Sequence, residues 1–376
     1  MTHSSFKTEA APSKNNEIVG RQIALTAAFL LPAAKLLEVP SILSKYTAGD
    51  LLLPALLHFL LQFGILFALL FSASKSEKTL FERLWLRFGN WSLLFYGLYA
   101  VYFLFAAILP LFDLEKFTYA AFFDTAPTSF SFVFFFLVSA FICTKGIKAL
   151  GRAADLSLFL FLIPFLALIA LALFSADFSH LLPLFSSRFG DTMYAFMRTT
   201  PHFSDTILLL PLIGNLRYKK GDSAKILTGY GVGAVSTLIF LAVFFGIYSS
   251  IAPREHYAFA KIAEYFPALD VIGRFDLLFV YMLTVVLLIF TAMPLQYTTD
   301  FTCKLLKIER KAIVSAVLNF ILLLLLLYTN KFYNSVYALI SGRLPIVFWV
   351  LADALPLLFL LLPATDKKSK KETSYA

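Results

Sequence analysis

Charged residues and cysteines are both scarce in this sequence. Charged side chains make up 15% of the 376 residues, whereas a soluble globular domain has about a quarter, so an ordinary soluble domain is excluded. The two cysteines, Cys143 and Cys303, lie near the cytoplasmic ends of predicted membrane spans, where thiols stay reduced. We therefore predict neither a disulfide nor a metal site.

Motifs of catalysis are missing from the polar segments as well. These segments contain no phosphate-binding glycine loop, no pair of catalytic carboxylates and no Ser-His-Asp arrangement. The alternation of Gly229, Gly231 and Gly233 follows no strand and lies in a long apolar segment, so we interpret Gly229 and Gly233 as a surface for close helix packing. We predict no enzyme activity, no ATP-driven pumping and no cofactor.

Long apolar segments dominate the sequence instead. Hydrophobic residues make up 60% of the chain and the mean hydropathy is +0.80, which predicts an all-α polytopic membrane protein. With about 20 apolar residues in each span, we predict ten transmembrane helices. Their bounds are 20–45, 51–74, 90–112, 128–144, 154–174, 191–212, 224–251, 271–298, 312–329 and 336–362.

Basic residues predict the orientation of these spans. Most of the 32 lysines and arginines fall in the leader (1–19), in every second connection or in the tail (364–376). The positive-inside rule then places both termini in the cytoplasm, which requires an even number of spans. The net charge of +9 is thus a topology signal, and we predict no nucleic-acid partner.

The ten spans divide into two halves of five within a membrane domain at 20–363. Because five spans reverse the direction of the chain, repeat 1 (about 20–175) and repeat 2 (about 191–363) are expected to have inverted topology. Spans 1 and 6 are then symmetry mates, and prolines and ionisable residues interrupt both. Broken segments at matching positions of two halves are typical of a transporter binding site near the membrane midplane.

Span 1 is interrupted between Pro32 and Pro40, each of which removes a backbone donor and disturbs the preceding turn. Lys35 and Glu38 lie between these prolines. A charge left unpaired at mid-bilayer costs roughly 3 kcal/mol on insertion scales, so we predict that these residues line a polar substrate cavity. The alternative is an internal Lys35–Glu38 ion pair that only holds a kink.

Span 6 has the same irregularity, at Arg198, Pro201, His202 and Asp205. We expect a half-helix to begin near Ser204 and to direct its amide groups and positive dipole end at a carboxylate. Ser204 or Asp205 could alternatively act only as its cap. His202 could follow proton coupling or be a hydrogen-bonded histidine of the bundle, and Arg198 is expected to pair or to snorkel.

Other polar residues fall inside apolar segments. We expect His58 and Gln62 in span 2 to hydrogen-bond a neighbouring helix, and Asp353 in span 10 to be a gate or a proton carrier. Three residues of span 8 could coordinate an ion or simply pack: Thr284, Thr291 and Gln296. The external link 253–267 is amphipathic and too charged to span, which predicts a short lid helix over the outer vestibule.

Four short motifs carry a resemblance to a known family. They are Arg21-Gln22, Val39-Pro40-Ser41-Ile42-Leu43, Phe203-Ser204-Asp205 and Leu208-Leu209-Leu210-Pro211. In them the chain resembles the permease-like B subunits of spore germination receptors, within the amino acid, polyamine and organocation transporter superfamily. It departs from the family pattern at Ala33-Ala34-Lys35, where relatives usually carry a glycine at the unwound point, and at Ser204, which replaces a second glycine.

The resemblance implies a leucine-transporter-like fold with broken helices 1 and 6, and binding of a small amino acid or similar solute where they meet. With the interrupted spans, it gives these substrate-binding candidates: Ala33, Ala34, Lys35, Glu38, His202, Phe203, Ser204 and Asp205. The coupling or gating candidates are Glu38, His202, Asp205 and Asp353. Glu38 or Asp205 would meet a substrate ammonium group.

The resemblance also implies a place in the bacterial cytoplasmic or spore inner membrane, together with A and C receptor subunits as partners. Two functions from different classes remain open. One is a sensor subunit that binds an amino acid and signals, and the other is an autonomous proton-coupled amino acid transporter. A structural scaffold without a ligand is a third possibility.

Overall fold

The computed structural model describes residues 18–76, 78–122, 128–265, 276–329, 335 and 344–362. These residues are almost entirely helical, with one isolated β-bridge between Ile18 and Leu216. The basic tail and all but the last two residues of the leader lie outside the described residues.

The helices follow the apolar segments of the sequence. Span 1 consists of α1 (Gly20–Lys35) and α2 (Val39–Thr47), and span 6 consists of α8 (Phe189–Thr199) and α9 (Asp205–Gly214). The other helices are α3 (Leu52–Ser74), α4 (Leu80–Phe88), α5 (Ser92–Phe122), α6 (Thr128–Thr144), α7 (Ile147–Leu173), α10 (Asp222–Tyr248), α11 (Ala258–Glu264), α12 (Asp276–Leu306), α13 (Lys311–Thr329) and α14 (Leu344–Trp349). After α14, span 10 continues through a π-helical turn at Val350–Ala354 and a short α-helix at Leu355–Leu357.

In the part of the chain that the structure describes, fewer helices are long enough to cross a membrane than the ten predicted spans. Among the described residues, six helical segments are long and apolar enough to cross a membrane, and the bent pair α1–α2 makes a seventh if it counts as one span. The helices of spans 4, 6 and 10 are shorter or interrupted. The all-helical polytopic architecture is therefore confirmed, and the count of ten stays a prediction.

Span 3 is longer than predicted. The sequence places its end at residue 112, before two acidic residues, but α5 continues to Phe122. Leu111, Leu114 and Phe117 are buried at helical spacing on both sides of Asp113, so apolar packing carries the helix past the charge. The predicted end of span 3 was wrong, and Asp113 lies inside the bundle.

The glycines of span 7 allow close contact with span 1. A Cβ atom on Gly233 would lie 2.5 Å from the Ala27 carbonyl oxygen and 2.8 Å from Pro32 Cγ, and one on Gly229 would collide with Ala24. Gly231 has no such neighbour within 4 Å. The predicted packing surface at Gly229 and Gly233 is confirmed, and it holds α1 against α10.

Candidate functional site

The first span is broken at residues 36–38. The half-helices α1 and α2 are bent by 61° at this point. Pro40 occupies the first turn of α2, where a missing amide proton costs nothing, so it fixes the start of the second half. Ala33, Ala34 and Lys35 are still helical. The unwound point, expected at these three residues, therefore lies just beyond them.

The lid helix satisfies carbonyl groups that this break exposes. The amide of Ala258 donates to the Leu37 carbonyl at 3.0 Å, and that of Phe259 donates to the Leu36 carbonyl at 3.1 Å. These donors belong to the first turn of α11, where amides have no partner within the helix. The prediction of a short helix in this link is confirmed for residues 258–264, and its first turn is joined to span 1. Its role as a lid over the outer vestibule stays a prediction.

The sixth span is broken between α8 and α9. A 3₁₀ turn at Thr200–His202 ends the first half, and Ser204 precedes α9. The Ser204 hydroxyl donates to the Thr200 carbonyl at 2.9 Å and makes no cap hydrogen bond. The prediction of a half-helix beginning near Ser204 is confirmed, whereas its capping role is not.

A buried ion pair joins the two broken spans. Lys35 Nζ lies 2.6 Å from Asp205 Oδ1 and also donates to the Leu31 carbonyl at 3.2 Å. The Tyr230 hydroxyl donates to Asp205 Oδ2 at 3.0 Å, so both carboxylate oxygens accept. Lys35 makes no ion pair with Glu38 among the described residues, and the kink-holding pair considered above is replaced by this one.

A cavity of about 80 Å³ lies where the two breaks meet. Spans 1, 3, 6, 8 and 10 line it with these residues among others: Ala34, Leu37, Tyr102, Asp113, His202, Ser204, Thr291 and Phe348. One water needs about 10–15 Å³ on the same measure, so the cavity has room for a solute of several non-hydrogen atoms. Most of its wall is apolar, and polar groups are few.

His202 and Phe203, although adjacent, have different surroundings. The His202 side chain lines the cavity, and its ring makes no hydrogen bond to the part of the chain that the structure describes. Phe203 is fully buried and stacks on His58 at 4.5 Å between ring centroids. The Lys35 ammonium lies 5.4 Å from the centre of the Phe203 ring, close enough for a cation–π contact.

Asp113 is a charged cavity residue that sequence reasoning missed. Its side chain is 8% exposed, and its Oδ1 atom has no hydrogen-bond partner among the described residues. Glu38, at the break of span 1, is 9% exposed and close enough to Asp113 for an electrostatic interaction. In the sequence, the signal that Asp113 is buried is the apolar residues that lie at helical spacing on both sides of it.

A second polar network connects spans 2, 6 and 10. Gln62 Nε2 donates to Asp353 Oδ1 at 2.7 Å, and Gln62 Oε1 accepts from the Thr206 amide at 3.0 Å. The other carboxylate oxygen of Asp353 has no partner in the described part of the chain. His58 Nε2 lies 2.8 Å from the Phe196 carbonyl oxygen. The predicted interhelical hydrogen bonds of His58 and Gln62 are confirmed.

Of the three candidates in span 8, Thr291 lines the cavity, whereas Thr284 and Gln296 are not among its lining residues. Thr284 and Thr291 donate to carbonyls of their own helix, at Val280 and Leu287. Gln296 is fully buried and its amide has no partner among the described residues. The described chain holds no group of three metal-ligating side chains.

Arg198 lies outside the cavity, on the exposed face of α8. Its Nε donates to the Tyr194 hydroxyl at 2.9 Å, and its guanidinium lies 4.9 Å from the centre of the Tyr194 ring. The expectation that Arg198 pairs locally is confirmed. The face that Arg198, His202 and Asp205 would share on a continuous helix does not form, because Pro201 and the 3₁₀ turn separate α8 from α9.

Residues 52–333 match the Spore_permease family, described as spore germination protein. This match spans well over half of the sequence. The chain belongs to the Spore_permease family. The family is one of permease-like membrane proteins, and the match extends from span 2 to the end of span 9. A search of curated proteins found no match.

Two solved structures match this Spore_permease chain over most of its length. MhsT in complex with L-phenylalanine has 14% sequence identity and a TM-score of 0.57, with 92% of this chain and 89% of MhsT covered. Mhp1 in an inward-facing conformation has 12% identity and a TM-score of 0.45, with 93% and 79% covered. The MhsT match confirms the leucine-transporter-like fold.

Proposed function

We propose that this Spore_permease protein binds a small amino acid as the permease-like subunit of a spore germination receptor. The observation that supports this most directly is the cavity at the junction of the two broken spans, lined by Ala34, His202 and Ser204. A mostly apolar pocket with a few convergent polar groups is typical of a small-molecule site. MhsT, which is similar in fold, was solved in complex with L-phenylalanine, which makes an amino acid the first ligand to test.

The roles proposed for the predicted residues follow their positions. Ala34, His202 and Ser204 would contact the solute, whereas Lys35, Phe203 and Asp205 form the support behind the cavity. Ala33 is fully buried in α1 and holds the helix before the break. Asp353 is proposed as a coupling group, since one of its oxygens has no partner among the described residues.

The proposed topology has both termini in the cytoplasm of a bacterial cell or spore, with the protein in the inner membrane. This topology is supported by contacts between residues that it places on the same side of the membrane. Arg21 pairs with Asp155 at 2.9 Å at the cytoplasmic starts of spans 1 and 5. Asp50 accepts hydrogen bonds from the amides of Phe185 and Ser187 at the opposite side.

A thermal-shift screen of the purified full-length protein against the twenty L-amino acids tests the binding proposal. A ligand at a hundred times its Kd adds about 2.7 kcal/mol to folding stability, so at least one small amino acid should raise Tm in a saturable way. D-enantiomers of the stabilising compounds are the matched control. The proposal fails if no amino acid in the panel shifts Tm.

An autonomous proton-coupled transporter is the second candidate. The partnerless carboxylate oxygens of Asp113 and Asp353 favour it, because intramembrane carboxyl groups often carry protons in transporters. Uptake of the stabilising amino acid into liposomes that contain this protein alone, driven by an inward proton gradient, would support transport. Binding without uptake, together with co-purification of A and C receptor subunits, would support the sensor.

A further inference from the structure

The carboxylate of Asp113 lies against the cavity without a charge partner. The side chain is more than nine-tenths buried, and Oδ1 has no hydrogen-bond donor among the described residues. A buried carboxylate is costly unless it is paired and hydrogen-bonded. Since Asp113 also lines the cavity, the missing donor can come from a molecule that enters there.

Glu38 adds a second carboxyl group beside Asp113. It lies at the break of span 1, and both carboxyl groups are near enough to Tyr257 to interact with it electrostatically. Among the described residues, neither Asp113 nor Glu38 forms an ion pair with a basic side chain. Two neighbouring carboxylates repel one another in a site of low dielectric constant, and either a proton or a bound cation relieves that repulsion.

Other acceptors at the two breaks are already occupied. Asp205 accepts from Lys35 and Tyr230. The carbonyls of Leu36 and Leu37, inside the break, accept from the amides of the lid helix. An ammonium group in the cavity therefore meets Asp113 first, rather than the predicted partner Asp205.

An ammonium group suits this site better than a metal ion. Calcium takes six to eight oxygen ligands, and the described residues contain no cluster of three metal-ligating side chains. The rest of the wall near Asp113 is apolar and includes Leu37 and Leu287. Such a wall accommodates a short aliphatic chain attached to the amine.

We propose that Asp113, supported by Glu38, is the ammonium-binding subsite of this cavity, and that its solute is a small primary amine or amino acid. The inference rests on the proposed function and adds the residue that binds the charged amine of the solute. It differs from the sequence-based assignment, which gave this role to Glu38 or Asp205 and did not include Asp113.

The test uses ethylamine as the probe, because it has the ammonium group of an amino acid without the carboxylate. The purified full-length protein is titrated in potassium chloride at constant ionic strength, and Tm is followed for the wild type, Asp113→Asn and Asp155→Asn. Asp155 is a matched control, since it lies in an exposed ion pair with Arg21. Propionate, which lacks the amine, controls for binding of the aliphatic chain.

We expect ethylamine to stabilise the wild type and Asp155→Asn at the same midpoint concentration, and Asp113→Asn at a midpoint about ten- to hundred-fold higher, as for a lost hydrogen bond to a charged group. Propionate should act equally on all three. The subsite is overturned if ethylamine does not stabilise the wild type, or if Asp113→Asn keeps the wild-type midpoint.

Asp113→Glu keeps the charge and tests geometry if Asp113→Asn does not fold. Its carboxylate reaches one methylene further into the cavity, so the ratio of methylamine to ethylamine affinity should rise relative to the wild type. An unchanged ratio overturns the proposal. So does stabilisation by sodium chloride that depends on Asp113 while ethylamine has no effect, because the cation would then be inorganic.

The outcomes separate this inference from the proposed function. If amino acids stabilise the wild type and Asp113→Asn equally, the function stands and the subsite is wrong. If ethylamine binding depends on Asp113 but no amino acid stabilises the protein, the subsite stands and the germinant-binding proposal is wrong.

Discussion

Lys35 in span 1 and Asp205 in span 6 form a buried ion pair with an N–O distance of 2.6 Å. Both side chains are almost completely excluded from solvent, at 2% and 3% exposure. The pair joins the last turn of α1 to the first turn of α9, where the two broken spans meet. It therefore sets the distance between the half-helices that border the cavity.

Removing one partner of this pair should strongly destabilise the protein. Lys35→Met leaves the Asp205 carboxylate buried without its cation, and the loss of one partner of a buried pair costs about 3–5 kcal/mol. Asp205→Asn should cost a similar amount, whereas the double variant should lose less than the sum of the two. Chemical denaturation in detergent measures the three free energies of unfolding.

The exposed pair Arg21–Asp155 is the control for that cycle. Its side chains are 70% and 34% exposed, and such pairs contribute about 0–1 kcal/mol. Arg21→Met and Asp155→Asn should therefore change the free energy of unfolding little. A Lys35→Met variant as stable as Arg21→Met would contradict the structural role of the buried pair.

The glycines of α10 give a prediction with its control in the same helix. Gly233→Ala should destabilise the protein by about 1–3 kcal/mol, because the new methyl group collides with α1 and overpacks the contact. Gly231→Ala meets no atom within 4 Å and should be neutral, or stabilising by up to about 1 kcal/mol through helix propensity. Thermal unfolding in one detergent measures the change in Tm of each variant relative to the wild type. Equal Tm values for the two variants would refute the close contact.

Gln62 should contribute strongly to the stability of the protein, although its side chain is uncharged. Gln62→Leu leaves the Thr206 amide and one Asp353 oxygen without their partners, and each unsatisfied buried group costs about 1–3 kcal/mol. We expect a matching fall in the free energy of unfolding, with faster hydrogen exchange at Thr206. Ser74→Ala, which removes an exposed hydroxyl from the same helix, should leave both measurements unchanged.

Filling the cavity should abolish ligand binding without unfolding the protein. Ala34 lies on α1 with its side chain toward the cavity, and phenylalanine there would occupy most of the space of about 80 Å³. Ala34→Phe should lose the ligand-induced rise in Tm while its own Tm stays near the wild-type value. Leu60→Phe, at a position 61% exposed on the outer face of α3, should keep the ligand response.

The sequence was sufficient to predict the two breaks, because proline acts locally on the backbone. Pro40 and Pro201 each lie within a few residues of the break that they mark. The partners of the charges could not be read in this way. Lys35 and Asp205 are 170 residues apart. From the sequence alone, Lys35 could equally have paired with Glu38, three positions away.

Asp113 shows a different limit of sequence reasoning. A length of about 20 apolar residues for each span predicts that span 3 ends at Phe112, before Asp113. The structure continues the helix because Leu114 and Phe117 pack inside the bundle. Only the three-dimensional arrangement shows that this carboxylate lies beside a cavity rather than in water.

The two hydrogen bonds from α11 to the break of span 1 couple the position of this helix to the conformation of the broken backbone. Lifting α11 removes the donors of the Leu36 and Leu37 carbonyls, at about 1–3 kcal/mol for each acceptor that stays dry. Opening is favourable only when water takes the place of those amides. Hydration of the broken backbone, rather than rotation of a single side chain, therefore governs how readily α11 separates from span 1.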